Sequence, residues 1–244
     1  MTTKIETKMI TREKFNFFKK LNFCILLALT LSLGLALALV LPARSAALVT
    51  YTVNSANDAD DGACNGTHCS LREAINAANA AAGADTINFN ISGCGGGVCT
   101  IQPATNLPAL SGGSTTIDAS ASANKIELNG SLVGSGGIGL RITSSNNVIR
   151  RLVINRFISA GIEVAGMDNV IEGNYIGTDI SGYVDYGNGF GVRIIATGNR
   201  VGGTTASQRN LISGNNRGVK IAGCDDNEVV GNYIGVDIGG GAQL

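Results

Sequence analysis

The sequence predicts an all-β chain: a right-handed parallel β-helix solenoid with an N-terminal capping helix, preceded by a signal peptide. Three observations predict it. Gly supplies 34 of 244 residues and charged residues only 15%, so the chain turns often and carries little surface charge. Its apolar residues are mainly Ile, Val, Leu and Ala in short runs broken by Gly and Asn, a composition that favours many short strands. Related segments recur at intervals of a few tens of residues, the signature of stacked or radial repeats.

The first element is an export segment, residues 1–47. Seven of the 18 basic residues lie before residue 48 with only Glu6 and Glu13 opposing them, and Leu21 to Leu41 then run almost wholly apolar before Pro42 and the small residues Ala43, Ser45, Ala46 and Ala47. A charged start, an apolar stretch and small residues make a signal peptide, with cleavage expected after Ala47 and Ser45 as second choice. The stretch is also long enough to cross a bilayer, so an uncleaved anchor with its basic end in the cytoplasm competes with that reading, and the membrane is expected to be met only there. The remainder carries 11 basic and 16 acidic groups, net −5. No basic stripe suits a phosphate backbone, which argues against nucleic-acid binding.

Residues 48–92 form the second element. In an exported chain Cys64, Cys69, Cys94, Cys99 and Cys224 are an odd set, so one thiol is left over. The first four make two pairs of equal spacing, CNGTHC and CGGGVC; two local bridges are the simplest arrangement, although four cysteines allow three pairings. A metal reading uses Cys64, His68 and Cys69, with His68 the only histidine of the chain. Adjacent His and Cys cannot easily reach one ion, and Asp60 and Asp61 read as loop residues, so disulfides are expected and no metal. Ser70 and Glu73 then form a capping box. Leu71, Ala74, Ile75, Ala78 and Ala82 follow helical spacing, with Gly83 placed for a left-handed C-terminal cap.

Residues 69–74 spell CSLREA, and residues 50–92 resemble the CSLREA domain found at the start of many exported bacterial repeat proteins. The resemblance implies a short module preceding right-handed parallel β-helix repeats, with no chemistry attached to its own residues. Arg72 and Glu73 are accordingly expected to be structural. On physical grounds the helix is expected to cover the apolar end of the first coil.

The third element, residues 93–244, is the repeat array. Asn147-Val148-Ile149, Asn169-Val170-Ile171, Asn199-Arg200-Val201 and Asn227-Glu228-Val229 recur at separations of 22 (147 to 169), 30 (169 to 199) and 28 (199 to 227). Gly139-Leu140-Arg141-Ile142, Gly161-Ile162-Glu163-Val164, Gly191-Val192-Arg193-Ile194 and Gly218-Val219-Lys220-Ile221 keep step with them, alternating inward apolar and outward charged residues. GNYIGTD at 173–179 returns as GNYIGVD at 231–237. Asn174 and Asn232 are the best candidates for a ladder of hydrogen bonds between coils, on the expectation that the Asn itself takes left-handed backbone. Residues 178–190 and 202–210 are expected to protrude as loops. From about residue 86 the pattern resembles the repeats of pectate-lyase-like proteins. The chain stops where the first GNYIG copy continues, which predicts a product lacking a terminal cap, with its last coil an exposed pairing edge.

Fold does not decide function here. Asp179, Asp185, Asp225, Asp226 and Asp237 are the carboxylates available to a glycosidase. Asp225-Asp226 resembles the double-Asp element of polygalacturonases, but Asn-Thr-Asp and Gly-His-Gly are missing and no histidine follows His68. No catalytic residue is assigned, and Arg150, Arg151 and Arg156 read as outward solubilising side chains. Tyr175 and Tyr233 are candidate sugar-stacking platforms, with Tyr183 and Tyr186 as further exposed rings. Asp179, Asp185 and Asp237 are candidate carbohydrate or Ca²⁺ contacts, Asp179 and Asp237 on one ridge, and no other cofactor is expected. The sequence thus points to a secreted or cell-surface bacterial protein, a non-catalytic structural, display or carbohydrate-adhesion module. Its expected partner is a polysaccharide or another surface component. A polysaccharide lyase or glycoside hydrolase of the same fold is the alternative.

Overall fold

A computed structural model describes residues 48–244; the export segment lies outside the described residues. Among the described residues the first strand is β1 (Val49–Val53), followed by the one helix described, α1 (Leu71–Ala80), and then by β2 (Asp85–Phe89), β3 (Val98–Ile101), β4 (Thr115–Asp118), β5 (Lys125–Asn129) and β6 (Ile138–Ile142). It goes on as β7 (Val148–Arg150), β8 (Leu152–Asn155), β9 (Ala160–Val164), β10 (Val170–Glu172), β11 (Tyr175–Ile176) and β12 (Phe190–Ile194). The last five strands are β13 (Arg200–Gly202), β14 (Leu211–Ile212), β15 (Arg217–Ile221), β16 (Glu228–Val230) and β17 (Tyr233–Ile234).

These strands form three sheets, in the orders β1-β2-β4-β7-β10-β13-β16, β3-β5-β8-β11-β14-β17 and β6-β9-β12-β15. Every pairing between them is parallel. From β4 onward the chain visits first, second and third sheet in fixed rotation, one strand in each per round. The first sheet begins at Val49, so the residues read from sequence as a separate N-terminal region contribute β1 and β2 to the same sheet as the repeats.

Register explains the burial. In the first sheet Ile87, Ile117, Ile149, Ile171 and Val201 pair in one column; in the second, Ile101, Leu128, Ile154, Ile176 and Ile212 do the same. Leu140, Ile162 and Val192 form a column of the third. All of these are buried, each contributing roughly 1.5–3 kcal/mol relative to exposure. The first two columns emerge toward solvent at Val229 and Ile234, and the third ends at half-buried Val219.

The glycines at the second position of the third-sheet strands have a steric reason. A Cβ on Gly139 would stand 2.5 Å from the carbonyl oxygen of Gly161, and one on Gly191 would stand 2.6 Å from that of Gly218. Successive rounds approach too closely there for any side chain.

Asn ladders hold the turns. The Asn147 N–H donates to Asn169 Oδ1 (2.8 Å), Asn169 to Asn199 (2.9 Å) and Asn199 to Asn227 (2.9 Å). A second ladder joins Asn174 to Asn210 (2.9 Å) and Asn210 to Asn232 (3.1 Å). Asn174 and Asn232 are therefore rungs, with Asn210 between them. The left-handed backbone falls on the residue before the rung and not on the Asn: Asn146, Asp168, Asp226 and Gly198 carry positive φ. This corrects the sequence reading, because the rung needs its own N–H aligned along the stack while its predecessor makes the bend.

Helix α1 has the expected capping box: the Glu73 N–H donates to Ser70 Oγ (3.2 Å) and the Ser70 N–H to Glu73 Oε2 (2.8 Å). Its far end differs from expectation. The helix stops at Ala80 with an extended Ala81, leaving Ala82 exposed and Gly83 beyond the cap at φ +121°, because the chain must leave at once to enter β2. Leu71, Ala74, Ile75 and Ala78 are buried where the helix meets β1 and β2. Arg72 pins it by a two-pronged bond to Asp58 (3.0 and 2.9 Å) and by donating to the carbonyls of Asn106 and Thr105.

Candidate functional site

Cys64 and Cys69 lie at disulfide-bonding distance, as do Cys94 and Cys99, while Cys224 is free and half-buried. Each bridge closes a short loop that precedes or enters a strand or helix, so their role is to hold backbone.

Three of the carboxylates proposed from sequence, Asp179, Asp185 and Asp237, are occupied by the backbone. Asp179 Oδ1 accepts from Ser181 Oγ (2.8 Å) and from the N–H groups of Gly182 (3.0 Å), Val184 (3.2 Å) and Tyr183 (3.3 Å). Burial would raise its pKa, but these donors outweigh it and hold the carboxyl below the ordinary value. Asp185 Oδ1 accepts from the Gly187 N–H (2.8 Å), and Asp237 Oδ1 from that of Gly241 (3.1 Å). Asp179 follows β11 and Asp237 follows β17, with β14 between those strands. Two strand spacings of about 4.8 Å each separate their rounds. Each carboxylate anchors its own hairpin-like loop, closed by the Thr178–Asp185 and Val236–Gln243 bridges.

The arginines divide by role. Arg150 pairs with Asp118 (2.8 Å), and Arg156 stacks on the Tyr186 ring at 3.5 Å. Tyr233 is covered in the same way by Arg209 at 4.3 Å. Arg151, whose φ of 66° turns it out of the strand, pairs with no carboxylate among the described residues.

Arg151 lines a cleft of about 450 Å³ at the corner between the first and second sheets, together with Ser120, Ser122, Asn124, Lys125 and Tyr175. The Lys125 ammonium sits 4.3 Å above the Tyr175 ring and donates to the Ile180 carbonyl. Desolvation lowers the Lys125 pKa, and the nearby Asp179 charge only partly opposes it. Tyr175 is raised, chiefly by burial, with Arg151 acting the other way. Two cations, an aromatic ring, hydroxyls and an amide thus converge on one groove, a donor-rich surface suited to an anionic polyhydroxyl ligand.

The sequence reading named Tyr175, took Arg151 as an outward solubilising side chain and missed Lys125. Lys125, Arg151 and Tyr175 come from three successive rounds, and only stacking brings them together. The signal available was their position just before or just inside consecutive second-sheet strands, at β5, β8 and β11. No family model matches the chain, and no curated protein matches it.

Proposed function

We propose that the chain is an exported bacterial cell-envelope or extracellular protein, a right-handed parallel β-helix whose corner cleft binds an acidic polysaccharide without turning it over. The cleft formed by Lys125, Arg151 and Tyr175 carries this reading, since two cations over and beside a ring match a uronate-like sugar with one apolar face. The regular rotation of the chain among three parallel sheets and the two Asn ladders support one winding axis. The CSLREA stretch supports an N-terminal module, with α1 as lid. The basic and apolar start of the sequence supports export, and the two cysteine pairs fit an oxidising compartment. Among the described residues no helix is long and apolar enough to cross a membrane.

Titration calorimetry with size-matched acidic and neutral oligosaccharides tests the binding. Saturable binding of the acidic oligomer is expected, weakened at least tenfold (about 1.4 kcal/mol) by Arg151→Ala or Tyr175→Ala, with the neutral oligomer bound far more weakly. Equal binding of both, or binding indifferent to these substitutions, rejects the reading. Affinity is also expected to fall as pH rises through the depressed Lys125 pKa, because only the ammonium form pairs with an anion.

One observation favours turnover: a desolvated amine of lowered pKa beside a free guanidinium is the pairing a polysaccharide lyase uses, base and charge neutraliser. Against it, the Lys125 amine is already engaged by Ile180 and Tyr175. Accumulation of unsaturated uronate product, abolished by Lys125→Ala, would establish the lyase in place of the adhesin.

A further inference from the structure

We propose that Asp61, His68 and Glu73 form a binding site for a divalent cation of the zinc class, on the face of the N-terminal region that carries the Cys64–Cys69 loop. One ligand atom from each, all within 4.8 Å of one another, converges there. His68 Nδ1 lies 3.0 Å from Glu73 Oε2 and 3.3 Å from Asp61 Oδ2. Atoms bound at 2.0–2.1 Å to a tetrahedral Zn²⁺ stand about 3.3 Å apart, so neither distance needs the side chains to move far.

The tautomer makes the case independent of proximity. The other ring nitrogen, Nε2, faces Asn57 Oδ1 at 3.0 Å, and that oxygen also accepts from the Ala59 N–H (3.2 Å), which marks it as an acceptor. Nε2 therefore carries the hydrogen. In the neutral ring Nδ1 then presents a lone pair, buried and without a hydrogen-bond partner, to two carboxylate oxygens. Three electron-rich atoms facing one point repel unless a proton on Nδ1 or a bound cation lies between them, and the NMR measurement below separates the two. A ligating His whose second N–H is fixed by a carbonyl-type oxygen is the usual outer-shell arrangement of metal sites.

The set is pre-organised. Glu73 is fixed by the capping box and by the Asp61 N–H on its Oε1 (2.7 Å), and its side chain is 1% exposed. His68 is held by the Cys64–Cys69 loop, within which the Thr67 and His68 N–H groups donate to Asn65 Oδ1. Arg72, next to Glu73 in sequence, is spent on Asp58. A nitrogen ligand with two carboxylates suits Zn²⁺ better than Ca²⁺ or Mg²⁺, which take six or more oxygens. Asp61, at 56% exposure, marks the solvent side on which a water completes the shell.

The test is calorimetric titration of ZnCl₂ into the chelator-stripped full chain, disulfides intact, in a Cys224→Ser background that removes the free thiol. One Zn²⁺ per chain is expected, weakened at least about tenfold by His68→Ala and by Asp61→Asn, and also by the outer-shell change Asn57→Ala. Co²⁺ is expected to give the visible bands of a four-coordinate ion, lost in His68→Ala. If His68→Ala fails to fold by circular dichroism, Asp61→Asn decides, since that side chain is largely in solvent. No saturable binding, or binding that both substitutions leave unchanged, overturns the proposal. So does a nitrogen NMR spectrum showing His68 as imidazolium at neutral pH in excess Zn²⁺, because a proton then occupies the place of the ion.

Discussion

At the scale of single residues, the fold depends on buried side chains that carry hydrogen bonds between rounds. Asn174 is fully buried; its Oδ1 accepts from the Leu152 N–H (3.0 Å), while its Nδ2 donates to the carbonyls of Ile149 (2.9 Å) and Glu172 (3.0 Å). Asn174→Ala strands those groups without water and is expected to cost about 1–3 kcal/mol in a denaturant titration. Asn232→Ala, with the same neighbours on one side only, is expected to cost less. Asp118 supplies a pH signature. Burial raises its carboxyl, but the Ser120 N–H (2.8 Å) and Arg150 overcome burial and leave its pKa below the ordinary carboxylate value. A folded pKa below the unfolded one means that its contribution is fully present above the unfolded value of about 3.9 and is lost as pH falls through the depressed folded value. Asp118→Asn should therefore lower stability at neutral pH and flatten that part of the acid-denaturation curve, the two curves converging at the lowest pH. Asn ladders were legible in sequence where the rung sits in a repeated motif, as in GNYIG. Asn210 lay hidden because the loops at 178–190 and 203–209 both fall between it and Asn174 and together stretch the spacing to 36 residues.

At the scale of elements, two devices define the strands and the helix. Glycine at the second position of the third-sheet strands permits close contact between rounds, at Gly139 and Gly191 closer than any Cβ can enter. Gly139→Ala, with its added atom 2.5 Å from a backbone oxygen and 2.9 Å from Ile154 Cγ2, is expected to destabilise by about 1–3 kcal/mol, read as a lowered unfolding midpoint. The Gly-apolar-charged-apolar pattern announced these strands in sequence, because alternation fixes which face is dry. It did not announce why the glycine is needed, since close approach between rounds is a property of the stack. The α1 start was legible for the opposite reason: a capping box is local chemistry. Its end was not, because a helix stops where the next element requires the chain, and β2 requires it at Asp85. Ser70→Ala removes the Oγ acceptor and is expected to cost about 1–2 kcal/mol.

At the scale of the whole molecule, outward side chains form charge ladders as the inward ones form apolar columns. Glu163 receives Arg141 (3.1 Å) and Arg193 (2.9 Å) from the rounds on either side, and Glu172 receives Arg200 (3.1 Å). Such partly exposed pairs add little stability each, on the order of 0–1 kcal/mol; their arrangement follows from the register. The same register explains why the candidate cleft escaped a linear reading. Lys125, Arg151 and Tyr175 are unremarkable singly and become a site only when three rounds align. The Asp61, His68 and Glu73 cluster escaped for a related reason: a capping box explains Glu73, and a disulfide explains the cysteines beside His68. Each residue already had a sufficient local role.

Everything rests on successive rounds pairing in register, and paired cysteines test this most directly. In the Cys224→Ser background, Arg141→Cys with Glu163→Cys places two thiols on register partners of β6 and β9, at a separation a disulfide can bridge. Arg141→Cys with Arg193→Cys places them two strands apart, about 9.6 Å. Rapid, near-complete bridging of the first pair and none of the second is the predicted result under mild oxidation of the folded protein. Equal bridging of both, or of neither, would contradict the stacked arrangement and with it the proposed cleft.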